Sequence, residues 1–425
     1  MRFKSNLLTA LTLSVSCFAL PAFADNPMVE PDFWEEHTLE TVQAAIAEGH
    51  SATDITDNGY TPLIRALRGE ASIETVDYLI TQGADIERIG HDDRPAIFWA
   101  ARYGNLDMVK HIVELGADLT VLDDSARNAL GYAARSQPDQ AVYAYLIDLG
   151  IDPNFADDDG ENAALTAANE NPHLDIVTYL AGVSDMTGRN NTGSDAFMLA
   201  ASRNSNLDVV KAMYATTSDA HAVDSEDGSD ALLLAAYRNE TLETFDFLLD
   251  HGFSLDARTT EGRDALAIAA VRNSPEVISH LLAIGADATV VDANGSTALL
   301  AAAGRDRDGA EEIIAILVAA GADASAVDAD GVTGLIAAAR TGHSLETLKV
   351  FVDGGADLDA VDDQKMSALM YLALKGTDAA AVTLLLEAGA DASLADDFGD
   401  TAADFIADNE ALADAQAAEQ LAHTH

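Results

Sequence analysis

One apolar position recurs through almost the whole chain at a nearly fixed interval. It is held by Leu63, Ile97, Leu130, Ala164, Phe197, Leu232, Leu266, Leu299, Leu335, Leu369 and Ala403, with successive members 33 to 36 residues apart. A period of that length marks a repeated supersecondary unit. Such a unit cannot bury its apolar face alone, so neighbours must stack and share one core. The 425 residues therefore read as one continuous body rather than two or three separate domains.

The stretch Glu261 to Asn294 shows the anatomy of a unit. Two residues before the recurring position lies a helix-start slot, filled by Thr61, Pro95, Asn128, Asn162, Asp195, Asp230, Asp264, Thr297, Thr333, Ser367 and Thr401. All but Pro95 carry a side-chain oxygen that can accept from the free N–H groups of a first turn. Paired alanines follow, such as Ala269-Ala270 and Ala302-Ala303, and let neighbouring inner helices approach closely. After a polar turn such as Asn273-Ser274-Pro275 comes a second helix with bulkier residues, here Val277, Ile278, Leu281 and Leu282. It ends at a glycine suited to the left-handed cap: Gly83, Gly116, Gly150, Gly252, Gly285, Gly321, Gly355 or Gly389. An acidic linker with β-branched residues then leads through Asp-x-x-Gly to the next unit.

These residues resemble the ankyrin repeat. Thr61-Pro62-Leu63 matches the family's helix start, and Gly116-Ala117-Asp118 its ending. The resemblance covers about residues 33 to 408. It implies an all-α, curved, right-stacked solenoid of helix-turn-helix repeats with short β-hairpin-like fingers. It also implies a protein-binding scaffold that presents inner helices and fingers as a concave surface. One departure is consistent. The histidine slot of the family holds Ile64, Phe98, Gly131, Leu165, Met198, Leu233, Ala267 and Leu300. The resemblance makes that histidine part of a hydrogen-bond network between repeats, so its loss implies more reliance on apolar packing.

The ends differ from the middle. Arg2 and Lys4, the apolar run Leu7 to Leu20 and the small residues Ala22-Phe23-Ala24 have the layout of a secretory signal peptide over residues 1–24. The run of 14 residues falls short of the roughly 20 that a spanning helix needs. Residues 25–56 read as an N-terminal capping half-repeat, with Phe33 and Trp34 plugging the stack. Residues 57–398 read as ten repeats, and 399–425 as a C-terminal capping helix region and tail. Cleavage removes Cys17, the only cysteine, and with it disulfide and thiol chemistry. It also carries the formal charge from -49 to about -51. Such a surface repels nucleic acid and anionic lipid. An exported, acidic, cysteine-free chain points to the periplasm, with the secreted space as the alternative, and to a monomer without membrane insertion.

The search for chemistry returns little. The sequence has no Gly-x-Ser-x-Gly, no Walker-type phosphate loop and no His-Glu-x-x-His, and its histidines are scattered singly. No catalytic residue, cofactor or metal ligand is assigned. Acidic finger tips such as Asp157-Asp158-Asp159-Gly160 and Asp328-Ala329-Asp330-Gly331 raise a salt-adapted, calcium-binding structural protein as the alternative function. The glutamate that an EF-hand loop needs is absent, since Thr166 and Ala337 stand there, so solvated acidic fingers are the better reading. An enzyme with an unrecognised site ranks below both.

Two breaks in the pattern read as loop drift. The Gly-Ala-Asp ending is lost at Ala181 to Ser184 and at Ala215 to Ser218, and Gly304 to Gly309 is an inserted turn. The scarce cations are placed with more purpose. Of 16 arginines after residue 24, eight fall five or six residues after the recurring apolar position: Arg68, Arg102, Arg135, Arg203, Arg238, Arg272, Arg305 and Arg340. Lys375 shares the slot. A cation at a helix C-terminus stabilises it by roughly 0.3–1 kcal/mol. The functional expectation is an arginine ladder that grips carboxylates of a protein partner in bidentate fashion.

Overall fold

The computed structural model describes residues 26–412, Ala418 and Leu421. Residues 1–24, expected from the sequence to be a signal peptide, and most of the tail after Leu412 lie outside the described residues. Twenty-two α-helices are described. The extended elements among the described residues are four isolated antiparallel bridges, such as Val291 with Thr297 at the base of one finger. The fold is an all-α ankyrin-type solenoid.

Each unit pairs an inner and an outer helix, as in Ala265–Arg272 and Pro275–Ala283. Inner helices stack in sequence from Pro62–Arg68 to Ala402–Asp408. The paired alanines lie at their contact; Ala269, Ala270, Ala302 and Ala303 are fully buried. The helix-start slot works as its chemistry requires. Thr61, Asn128, Asn162, Asp195, Asp230, Asp264, Thr297, Thr333 and Ser367 each accept a first-turn N–H, worth about 1 kcal/mol per cap. Pro95 makes no side-chain cap. All eight terminal glycines adopt left-handed φ, between 82° and 109°. Where glycine is missing, the outer helices Leu174–Val183 and Leu207–Thr216 leave through the extended residues Ser184 and Thr217.

At the N-terminal end the core begins at Met28, which is fully buried. The Trp34 indole N–H donates to the Met28 carbonyl at 2.8 Å, and Trp34 packs so closely on Gly69 that a Cβ there would meet its own Cβ at 2.8 Å.

The acidic fingers are less solvated than their composition suggests. In each Asp-x-x-Gly the first aspartate turns inward and ties the loop. Asp157 Oδ1 accepts from the N–H groups of Asp159 and Glu161, and Asp328 Oδ1 from those of Asp330 and Val332. The glycine takes left-handed φ, as at Gly331 with 78°. A Cβ there would also meet the Val361 carbonyl at 2.5 Å, because the next finger passes so close. Finger follows finger through single backbone bonds, such as Ala293 N–H to Glu261 O and Ala329 N–H to Asn294 O.

Beside the expected apolar packing, the units are joined by polar bonds that were not expected from the sequence. A ladder of buried side-chain amides runs just past the inner-helix ends. Asn204 Nδ2 donates to the carbonyls of Ala168 and Asn171 in the preceding unit, at 2.9 and 2.8 Å. Asn239 does the same to Ala201 and Asn204, and Asn273 to Ala236 and Asn239. Gln137, Asn171 and Asn409 repeat the arrangement elsewhere in the stack. The amide oxygens accept from the turn that follows, as Asn239 does from Thr241 N–H. A carbonyl at a helix C-terminus lacks an intrahelical partner, and a buried one left unpaired costs about 1–3 kcal/mol. Polar satisfaction between these units is therefore supplied by the amide slot. Replacing Asn239 with Ala strands two buried carbonyls. The expected loss is about 3 kcal/mol by chemical denaturation, and a loss below about 1 kcal/mol would contradict the ladder's role.

Candidate functional site

The arginine slot lies at the ends of the inner helices, next to the amide ladder. It is not one uniform column. Arg305 is the clearest correction: only 9% of it is exposed. Its Nη1 donates to the carbonyls of Ala270 and Asn273 at 3.3 and 2.7 Å, and its Nη2 to Asp308 O. The inserted turn shifts it by one step into the amide slot, where a guanidinium stands in for asparagine. His343 fills the next rung, with Nε2 at 3.0 Å from the Ala303 carbonyl.

The centre of the column is neutralised. Glu170 sits in the arginine slot of its own unit and takes Arg135 Nε at 2.6 Å and Arg203 Nη1 at 3.1 Å. These two arginines tie three successive units together.

The remaining members lie near aromatic side chains, and Arg68, Arg102, Arg238 and Arg272 have their guanidinium groups over rings. Arg68 is exposed and lies 5.4–5.7 Å from the ring centres of Tyr60, Trp99 and Tyr103. Arg102 is half-buried over Tyr103 and Tyr132, at 5.2 and 4.9 Å, and its Nε donates to Ser136. Arg238 and Arg272 are exposed and both lie 5.2 Å from the Tyr237 ring. Arg340 is exposed beside the Tyr371 hydroxyl, and Lys375 lies 5.7 Å from the centre of the same ring. Burial pushes the Tyr371 phenol up to about 12, and its hydrogen bond to Asp362 adds to the rise.

Among the described residues, Arg68, Arg102, Arg238, Arg272 and Arg340 make no ion pair, in a chain with 72 acidic side chains. An arginine stacked on a ring keeps its in-plane donors available for a carboxylate. Sequence reasoning found the arginines but missed the rings beneath them. Trp99, Tyr132 and Tyr371 share one slot, two residues after the recurring apolar position, which is a signal the sequence did carry, whereas Tyr60, Tyr103 and Tyr237 come from other slots. The asparagine ladder did leave a signal, since Asn204, Asn239 and Asn273 each directly follow a column arginine.

One acid at a finger base is strongly perturbed. Glu161 is half-buried at the base of a finger, where Asn190 Nδ2 donates to it at 3.2 Å. Loss of hydration pushes its carboxyl up to about 7, with Asn190 opposing and Asp157 and Asp159 adding to the rise. No group of three His, Cys, Asp or Glu among the described residues is arranged to hold a metal ion. No described helix is long and apolar enough to cross a membrane.

Comparison with protein families agrees with this geometry. A family model described as Ankyrin repeats (3 copies) matches residues 34–123, 97–190, 130–224, 197–292, 268–358 and 298–396.

Glu161 gives a pH test. Its folded value of about 7 lies above the ordinary 4.5. The folded state therefore binds a proton more readily than the unfolded one, and stability falls as pH rises from below 4.5 through about 7. Glu161→Gln is expected to raise the denaturation midpoint at pH values above this window and to leave it unchanged below it. Equal shifts on both sides would contradict the assignment.

Proposed function

The chain belongs to the ankyrin-repeat family, and on that premise we propose that it is a non-catalytic scaffold, exported to the periplasm, that binds a partner protein. The partner lies along the inner-helix ends and fingers. The observation that carries this reading is the set of ring-seated arginines without carboxylate partners. In a chain so acidic, arginines needed only for internal ion pairs have abundant acids to choose from. A guanidinium held on a ring loses little freedom when it accepts a partner carboxylate. The same surface keeps its shape because the amide ladder below it is fully bonded.

Export rests on the layout of residues 1–24, and the periplasm on the acidic composition and the loss of Cys17. Expressing the chain with and without residues 1–24, then fractionating the cells, tests this part. A periplasmic product beginning at Asp25 is expected, and cytoplasmic retention of both forms would contradict it.

Crosslinked capture from the export compartment tests the binding face. Arg68→Gln, Arg238→Gln, Arg272→Gln and Arg340→Gln together are expected to lose the captured protein while helical content by circular dichroism is kept. Undiminished capture would show that the column only caps helices.

A further inference from the structure

The neutralised Arg135, Glu170 and Arg203 separate an N-terminal patch of the cation column from the Arg238 and Arg272 patch, and the buried Arg305 sets Arg340 and Lys375 apart from both. Arg238 and Arg272 lie on the single ring of Tyr237. The N-terminal patch is denser. Tyr60, Trp99 and Tyr132 run in a row across three successive units, with ring centres 5.9 and 5.6 Å apart. Arg68 and Arg102 lie on this row. Arg65 lies 3.8 Å from the Tyr60 ring and is pinned by its Nε bond to Val29 O. Arginine is among the residues that dominate binding energy at protein interfaces. Here the guanidinium groups already lie over packed rings before any partner arrives, so little ordering is left to binding.

Resting on the scaffold reading above, we propose that the Arg68 and Arg102 patch is the anchor for an extended acidic segment of the partner protein. The charge argument is local. Arg68 and Arg102 have no carboxylate partner among the described residues, whereas Arg135 and Arg203 share one. Stacked inner helices advance about 8–10 Å per unit, and a chain in the extended polyproline-II conformation advances about 3.1 Å per residue with about three residues per turn. A carboxylate at every third position of such a segment therefore stays on one face and meets one arginine per unit.

Arginine interleaved with aromatic rings also suits single-stranded nucleic acid. Two observations favour protein. Trp99 and Tyr132 are each only 2% exposed, so their faces are covered and closed to stacking bases. The chain's formal charge of -49 also repels a uniform polyanion far more than a peptide with a few acids.

The test uses the chain from residue 25 onward and three fluorescein-labelled probes. These are a peptide of Glu-Gly-Ser repeats, its Gln-Gly-Ser counterpart and an oligothymidylate of equal length, read by anisotropy. The Glu peptide is expected to bind most tightly. Arg68→Gln with Arg102→Gln should weaken it about tenfold or more, and Arg238→Gln with Arg272→Gln by less than about twofold. Glu170→Gln frees Arg135 beside the patch and should tighten binding, a gain that misfolding cannot produce. Absence of binding, equal affinity for the Gln peptide, tighter oligothymidylate binding or no gain from Glu170→Gln would overturn the anchor. Equal losses from the two arginine pairs would also overturn it, yet leave the scaffold reading standing. That reading fails separately, if capture of the natural partner survives loss of both pairs.

Discussion

The carbonyls at the C-terminal ends of the inner helices need donors, and in most units the next unit supplies them; Gly104 and Gly376 leave the slot without a side chain. This requirement organises the molecule. Asn204, Asn239 and Asn273 each bond two carbonyls of the preceding unit and accept from the turn that follows. One side chain thus pins the inner helix before it and the turn of its own unit. Alanine contacts bring the helices close but are slippery, because a methyl surface has little directional preference. The amides add direction. Arg305 and His343 keep the pattern where the inserted turn breaks the spacing, which shows that the donor matters more than the residue type.

The ladder also places the candidate surface. In three units the column arginine is the residue directly before the ladder asparagine, so its backbone is fixed by a buried neighbour while its side chain reaches outward. Acidity then sorts the cations. Where an acid stands in the column, as Glu170 does, it captures two arginines and spends them on cohesion between units. Elsewhere aromatic rings hold the guanidinium groups and leave their donors available. The fingers show the same division among aspartates. Asp157 and Asp328 are consumed by their own turns, while their neighbours contribute only charge.

The fold was legible because its signals are periodic and local. A helix cap, an alanine pair and a terminal glycine each depend on residues within one unit, and eleven copies averaged out the exceptions. The candidate surface was legible only in part. The arginine column is periodic and could be seen, but its partners are only partly so. Trp99, Tyr132 and Tyr371 share a slot that most other units fill with aliphatic residues, Tyr60 and Tyr237 come from other slots, and all five meet the arginines only after stacking. Arg305 was misplaced because one insertion moved it from an exposed slot to a buried one, a shift of a single residue that spacing alone does not resolve. The asparagines were visible but looked like ordinary turn residues, since a turn and a buried inter-unit donor favour the same side chain.

The central claim is that ring-seated arginines form the face that meets a partner. Arginine-selective modification with phenylglyoxal, read residue by residue by mass spectrometry, tests it most directly. In the free protein Arg68, Arg238, Arg272 and Arg340 should react rapidly, and the buried Arg94 and Arg305 slowly. With the captured partner bound, the first group should become protected. The account is contradicted if those four are as slow as Arg305 in the free protein, or if they stay fully reactive in the complex.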